Sequence, residues 1–244
     1  SRIDDMCARV KVSKTAAIKS LLADMGFSTE SLAEHLFEIN KGEQLFPYYK
    51  PLAALFVDSQ SSMDLALMNW GWQRPWDESK RLFNVRKCSA KGQSIWQSKV
   101  WGDAIRQRRC LLPIDCFYEW DQNFPRGKRP RYRVEPSQRE VMSLGAIYEI
   151  NQAGEFCLSV CTTEPNSSMQ QIHHRMPVMI EPEHAQEWLF SEDQHAIDHL
   201  MQPSAEKKIQ LICESNSTES SSSQSNDKHD ESETEGRPYT LPLF

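Results

Sequence analysis

Short apolar segments separated by polar turns occupy most of the first 213 residues, and most of them alternate with the period of two that is typical of strands. Helical periodicity is confined to a few short stretches. The pattern predicts strands over 7–12, 51–57, 65–72, 110–120, 132–135, 142–150, 156–162, 177–180 and 209–213.

Among the helical stretches, the first has the clearest ends. Ser13 is a candidate N-cap, and Gly26 is a candidate C-terminal stop. Because many strands and few helices occur without strand–helix alternation, we expect an α+β fold that is mainly antiparallel β and barrel-like, with peripheral helices. Further helices are predicted from 28 or 29 to 37, over 181–188 and over 194–202, and residues 96–106 are predicted to be helical or irregular.

The composition changes sharply at Glu214. Seven serines fall between 215 and 225, and acidic residues follow, so we expect residues 214–236 to be disordered because they bury too little apolar surface. The chain then ends on an apolar peptide, 237–244. Its Leu241, Leu243 and Phe244 resemble the Leu-x-Leu-Phe core of peptides that dock on the bacterial sliding clamp, although the usual leading glutamine is missing.

Charge is unevenly placed along the chain. The formal net charge is −6, yet residues 81–133 contain thirteen Lys or Arg and four acidic residues. A local basic excess of this kind indicates a surface for phosphates, whereas the ordinary alternative is a solvated basic loop region.

The seven cysteines are odd in number and lack paired metal-type spacing. Cys157 and Cys161 are four apart in a strand-like run, and we interpret them as reduced core thiols rather than metal ligands. The sequence contains no signal-peptide segment and no apolar run of 18 residues, so we expect a cytosolic protein without membrane association.

Cys7, directly after Met6, is a candidate nucleophile. Once residues 1–6 are removed, it carries both an α-amine and a thiol, whose ordinary pKa values lie at about 8 and about 8.5. Such a 1,2-aminothiol reacts with an aldehyde first as an imine and then as a five-membered thiazolidine. An ordinary buried cysteine in a first strand is the alternative that these residues alone leave open.

Four other short motifs contain side chains suited to a site. Glu119 stands between aromatic residues, where a carboxyl tends to have a raised pKa and to move protons near neutral pH. Asn84 and Arg86 are two apart and share a face if extended. The other two motifs contribute the candidates His173, His174 and Arg175, and Trp70, Trp72 and Trp76. Taken singly, each motif is more often structural.

Together and in this order, the motifs resemble those of the SOS response-associated peptidase (SRAP) family, over about residues 6–213. No single motif is decisive, but six in the right order and spacing are hard to obtain by chance. The matching segments are Met6-Cys7-Ala8-Arg9, the tryptophan-rich stretch 70–76, Asn84-Val85-Arg86, the stretch 117–120, Gly145-Ala146-Ile147-Tyr148-Glu149 and the stretch 172–177.

The resemblance implies covalent capture of abasic sites in single-stranded DNA by a monomer that needs no metal or organic cofactor and joins the bacterial nucleoid when engaged. The resemblance further implies that Cys7 forms the thiazolidine, that Asn84 orients the amine and the sugar, and that Glu119 and His173 move protons. DNA-binding roles fall on Arg9, Arg86, Arg175, Trp70, Trp72 and Trp76.

Two departures from the family pattern bear on this expectation. Ala8 replaces the usual glycine, and residues 1–5 precede Met6. While residues 1–6 remain attached, Cys7 has a peptide nitrogen and cannot form a thiazolidine. Self-removal would suit a thiol peptidase, so a peptidase and a non-covalent single-stranded DNA-binding module remain as alternative functions.

Overall fold

A computed structural model describes residues 8–30, 35–38, 41–74, 77–88 and 92–214, with the backbone alone over 73–74 and 77–81. Within these ranges the strands are β1 (Val10–Lys11), β2 (Gln44–Leu45), β3 (Leu52–Val57), β4 (Met63–Trp70), β5 (Trp72–Arg74), β6 (Asp77–Leu82), β7 (Asn84–Arg86), β8 (Arg109–Ile114), β9 (Cys116–Trp120), β10 (Arg131–Pro136), β11 (Met142–Ile150), β12 (Phe156–Thr163), β13 (Met176–Pro177) and β14 (Ile209–Cys213).

The helices of the same ranges are short and lie around the strands. Three single-turn 3-10 helices span Ile95–Gln97, Pro182–His184 and Glu206–Lys208. The α-helices are α1 (Thr15–Asp24), α2 (His35–Glu38), α3 (Gly102–Gln107), α4 (Ser167–Gln170), α5 (Ala185–Phe190) and α6 (Gln194–Leu200).

Five strands pair in a ring that closes on itself. The order is β11–β8–β3–β4–β12, and β12 also pairs with β11. All six residues of β8 are buried, as expected for a strand covered on both faces. β12 additionally carries β7 and β13, and its pairings with β4 and β7 are the parallel ones. The predicted α+β fold, mainly antiparallel and barrel-like with peripheral helices, is confirmed.

A second, antiparallel sheet has the order β14–β10–β9–β1–β2 and brings the two ends of the described chain together. Phe117 of β9 pairs with Val10 of β1, and both side chains are fully buried. Alternation then turns Tyr118 and Trp120 to the opposite face from Glu119.

The single strand predicted over 110–120 is wrong, because the structure contains two strands in different sheets. Asp115 separates them: its buried carboxylate accepts hydrogen bonds from the Ser13 hydroxyl and from the Lys14 main-chain N–H at 3.1 Å. β8 therefore enters the ring and β9 enters the second sheet. An apolar run alone could not reveal this corner.

The first predicted helix is confirmed, but its predicted cap is not. The Ser13 hydroxyl is bound to Asp115, and Lys14 stands at the N-cap with no side-chain cap bond. The helix ends as predicted at Gly26, whose φ of +87° suits glycine. There the Phe27 N–H donates to the Leu22 carbonyl oxygen at 3.0 Å.

Other predicted boundaries shift by a few residues. β4 ends at Trp70, because Gly71 has a φ of +139° and leads into β5. The strand predicted over 177–180 is reduced to β13, with Met179 in an isolated bridge to Leu144. Residues 215–244 lie outside the described ranges, so the disordered segment and the docking residues Leu241, Leu243 and Phe244 stay predictions.

Free thiols line the interior, in agreement with the sequence interpretation. Cys110, Cys157 and Cys161 are buried and make no disulfides. Burial raises the pKa of Cys157 to about 11, with a further contribution from Glu149 and Glu155. These thiols are therefore inert core groups at neutral pH.

Glu149 of β11 predicts a pH dependence of stability. Burial raises the pKa of its carboxyl from 4.5 to about 7, although Arg108 opposes the shift. The folded state thus holds this proton more tightly than the unfolded chain, and stability should fall as pH rises from about 4.5 to about 7. We expect Glu149→Gln to raise the free energy of unfolding at pH 8 by about 1 kcal/mol and to leave it nearly unchanged at pH 4.5.

Urea unfolding at the two pH values measures this effect. The matched control is Glu187→Gln, which alters an exposed carboxylate on α5. An equal gain at both pH values, or the same gain in the control, would contradict the role assigned to Glu149.

Candidate active site and DNA-facing surface

Glu119 and His173 form a buried acid–base pair. Glu119 lies near the end of β9, and its Oε1 is 3.6 Å from His173 Nε2, with the two side chains 2% and 0% exposed. α4 holds the histidine: the Asn166 side chain caps this helix, and the His173 N–H donates to the Met169 carbonyl oxygen at 2.8 Å. The two predicted catalytic side chains therefore meet, although 54 positions separate them in the sequence.

Gln122 joins His173 to a second histidine. One end of its amide lies 2.6 Å from His173 Nε2 and the other 2.6 Å from His174 Nδ1, and the two imidazoles stack with centroids 4.6 Å apart. The Gln122 N–H also donates to the Ile172 carbonyl oxygen at 2.8 Å, which fixes the end of β9 against this segment. Sequence reasoning missed Gln122, since nothing in its local pattern marks it.

The orientation of the His173 ring is fixed by the main chain. The Arg175 N–H and the Arg175 carbonyl oxygen lie 3.1 and 3.2 Å from His173 Nδ1, so main-chain groups hold this nitrogen while Nε2 faces Glu119. A histidine held this way can give its proton to a carboxylate or receive one from it.

The first described residues run antiparallel to β9 and lead toward this pair. The Tyr118 N–H donates to the Arg9 carbonyl oxygen at 2.9 Å, next to the Val10–Phe117 pair. Continued by two pairs beyond Val10–Phe117, the same register would set Ala8 opposite Glu119. Cys7 lies outside the described residues, and its role as nucleophile stays a prediction.

Strand β12 connects the segments that contain Asn84, Arg86 and Arg175. Asn84 and Arg86 belong to β7, which pairs with β12 so that Arg86 stands beside Thr162. On its other side, Thr162 pairs with Pro177 of β13, two residues after Arg175. The sheet thus brings β7 and the segment after His173 to one end of β12; Asn84 and Arg86 are half-buried and Arg175 is buried.

Arg9 lies on the other face of the second sheet, among aromatic rings. Its guanidinium carbon is 5.7 Å from the centroid of Phe46 and 5.6 Å from that of Trp120, and its Nη1 donates to the Gln44 amide oxygen at 3.2 Å. Phe46 stacks on Tyr49 with centroids 4.4 Å apart, and these two rings are 39% and 47% exposed. We call Arg9, Phe46, Tyr49 and Trp120 the aromatic face.

The structure does not support base stacking by two of the predicted tryptophans. Trp70 is 1% exposed and donates its indole N–H to the Phe83 carbonyl oxygen, and Trp72 is 4% exposed and packs edge-on against Trp101. Both are core residues, with no exposed aromatic surface to offer a base. Trp76 lies outside the described residues.

The basic segment 81–133 is only partly available to a ligand. Arg109 is buried and donates to main-chain carbonyl groups, so it serves the fold. Arg131 and Arg133 both pair with Glu214, at 2.7 and 2.9 Å, and Arg131 also lies over the Tyr118 ring. The sequence count therefore overstates the charge that a phosphate would meet.

Neither a metal site nor a membrane span is found among the described residues. No group of three or more His, Cys, Asp or Glu side chains there is arranged to hold a metal ion. No helix in those ranges is both long and apolar enough to cross a membrane.

Comparisons with known proteins place this chain in a family. The sequence model described as "SOS response associated peptidase (SRAP)" matches residues 6–218. "Abasic site processing protein YoqW" of Bacillus subtilis is 27% identical over 153 residues, which cover 60% of this chain and 67% of YoqW. "Abasic site processing protein HMCES" of Gallus gallus is 27% identical over 159 residues, and the match spans about half of each protein, 54% of this chain and 47% of HMCES.

A solved structure supports the fold independently. An X-ray structure of a protein from Bacteroides thetaiotaomicron superposes with a TM-score of 0.67 at 20% identity, covering 85% of this chain and 91% of that one. Since the family match also takes in most of the sequence, this chain belongs to the SRAP family.

Proposed function

We propose that the protein captures abasic sites in single-stranded DNA as a covalent thiazolidine with Cys7. The observation that carries this proposal is the buried Glu119–His173 pair, whose carboxylate belongs to the strand beside which the first described residues run. The names of the relatives YoqW and HMCES, "abasic site processing protein", support the same substrate.

The chemistry needs an amine, a thiol and groups that move protons. The Cys7 amine attacks the aldehyde carbon of the ring-opened sugar, and loss of water gives an imine. The Cys7 sulfur then adds to the imine carbon while its proton passes to the nitrogen, which closes the five-membered ring. Glu119 and His173 shuttle the protons of ring opening and dehydration, and Asn84 orients the amine and the sugar.

The aromatic face is suited to the DNA strand on either side of the lesion. Phe46 and Tyr49 present exposed rings on which unpaired bases can stack. Arg9 lies beside them, two residues from Cys7, and its Nε is buried with no acceptor among the described residues. The positive charge of its guanidinium suits a phosphate of the strand. We assign base stacking to this face in place of Trp70 and Trp72.

An abasic oligonucleotide and a denaturing gel test the proposal. Protein whose first residue is Cys7 should give a shifted band that survives denaturant. Cys7→Ala and Cys7→Ser should give none, since both lack the thiol that closes the ring. Wild-type binding and protection of abasic DNA by Cys7→Ser, with no stable band from any protein, would instead favour a non-covalent binding module.

A second candidate activity is removal of the residues before Cys7 by the protein itself. The first described residues run antiparallel to β9, the strand that holds Glu119, and residues 1–6 precede Cys7 in the sequence. Here the Cys7 thiol attacks the Met6 carbonyl carbon, and the Met6–Cys7 C–N bond breaks as the nitrogen takes a proton and becomes the free Cys7 amine. Water then hydrolyses the resulting thioester, which releases the upstream peptide as a carboxylic acid and restores the thiol. Intact mass spectrometry should show the residues before Cys7 retained in Glu119→Gln and absent from wild type.

A further inference from the structure

A cavity of about 300 Å³ opens beside the aromatic face and has no role in the chemistry above. Tyr49 belongs to both: it stacks on Phe46 on one side and lines the cavity on the other. The cavity is at the small end of the range for ligand pockets, roughly 300–1,000 Å³. It therefore suits one planar ring system better than a length of nucleic acid.

One wall of the cavity is held by a strained turn. Tyr48 has a φ of +62°, which is unusual for an aromatic residue, and its N–H donates to the Trp70 carbonyl oxygen at 2.8 Å. Its ring lies directly over Gly71, where a Cβ atom would stand 2.3 Å from Tyr48 Cε1. Strain of this kind collects at binding sites, where the surrounding fold maintains it.

The charges of the lining favour an uncharged ligand. Lys50 Nζ lies 2.8 Å from both carboxylate oxygens of Glu43, so its charge is already matched. Glu155 adds a carboxylate to the lining. A phosphate would meet this negative group without a matching unpaired cation in the described part of the lining, whereas a neutral base would not be repelled.

Asn69 is the group that can read such a base. It lines the cavity, and its amide has no hydrogen-bond partner within the described ranges. The other amide of the lining, Asn151, is occupied by its own turn, accepting from the Ala153 and Glu155 N–H groups and donating to the Glu155 carboxylate. An asparagine amide presents one donor and one acceptor side by side, which match N7 and N6 of adenine.

We propose that this cavity receives an adenine of the captured strand, stacked against Tyr49 and hydrogen-bonded by the Asn69 amide. The inference rests on the proposed function, because the strand reaches the cavity along the aromatic face. Successive contacts of 5.7 Å from Arg9 to Phe46 and 4.4 Å from Phe46 to Tyr49 separate the cavity from the first strand. At a rise of about 3.4 Å per stacked nucleotide, the adenine lies within about four nucleotides of the abasic site.

The test uses single-stranded oligonucleotides that differ in one base. Each of the four positions on either side of the lesion is occupied in turn by A, G, C or T, with all other bases held constant. Equilibrium binding is measured by fluorescence anisotropy with a non-reactive abasic analogue, and crosslinking by denaturing gel. At one position we expect adenine to tighten binding about tenfold.

Two variants decide whether Asn69 is the reader. Asn69→Ala should bind the four oligonucleotides of that position with similar affinities. The matched control is Gln60→Ala, which removes an exposed amide in the turn at the opposite end of the β3–β4 hairpin and should keep the adenine preference.

Equal affinity for all bases at every position in wild type, or an adenine preference that persists in Asn69→Ala, would overturn the proposal. Because anisotropy needs no covalent step, these outcomes are distinct from failure of the proposed function. That failure would appear as DNA binding without a stable band on the denaturing gel.

Discussion

Replacing Glu119 by glutamine is expected to slow crosslink formation about 100- to 1,000-fold, within the range of general acid–base catalysis. Glutamine preserves the shape of the side chain at a site that is 2% exposed, but it can neither accept nor release the protons of ring opening and dehydration. The measurement is the single-turnover rate constant of band formation on a denaturing gel, with protein in excess over the abasic oligonucleotide.

Binding measurements separate this loss from damage to the DNA surface. Affinity for a strand with a non-reactive abasic analogue should change less than about threefold, because the ring contacts of the aromatic face lie on the other side of β9. Glu187→Gln, an exposed change on α5, serves as the control for rate. A rate within threefold of wild type in Glu119→Gln would remove Glu119 from the mechanism.

Replacing Arg109 by leucine is expected to cost about 3–5 kcal/mol of stability, in the range seen when one partner of a buried charged network is removed. This guanidinium is 5% exposed and donates to the Ile105 and Arg106 carbonyl groups where α3 ends, and to those of Trp188 and Ser191 where α5 ends. Leucine would leave these buried acceptors unsatisfied. Burial lowers the pKa of Arg109 to about 10, so the side chain is still charged at neutral pH.

Thermal unfolding measures the effect, and we expect Tm to fall by roughly 10 °C for a domain of this size. The matched control is Arg139→Leu, which breaks a surface ion pair with Asp24 whose side chains are 42% and 47% exposed. Such a pair contributes about 1 kcal/mol or less. A similar Tm shift in both variants would show that the Arg109 bonds add no special stability.

The elements of the fold could be predicted from local sequence where one residue pattern decides them. β11 and β14 have the predicted bounds, and α1 ends at the predicted Gly26. The corner at Asp115 could not be predicted, because it depends on a hydrogen bond from Ser13, about one hundred positions away. β7 was missed for a similar reason, since three residues pair only with the distant β12.

The residues of the candidate site could likewise be predicted only in part from the sequence. The resemblance to a family identified Glu119 and His173, and it chose His173 over its neighbour; the structure gives the physical difference, since only His173 is buried against the carboxylate. The structure does not support the base-stacking role predicted for Trp70 and Trp72, because a sequence cannot show which aromatic rings remain exposed after packing. Phe46 and Tyr49 lie in an unremarkable loop, and only the fold brings them beside Arg9.

The closed pairing of the five ring strands has a consequence for how the molecule opens. A strand in a closed ring cannot peel from an edge, since two rows of hydrogen bonds must break together. β1 instead has two residues, held between β2 and β9 in an open sheet. Amide hydrogen exchange should therefore be slowest in β3, β8 and β11 and much faster at Val10 and Lys11, so that the chain next to the proposed nucleophile opens more often than the closed framework behind it.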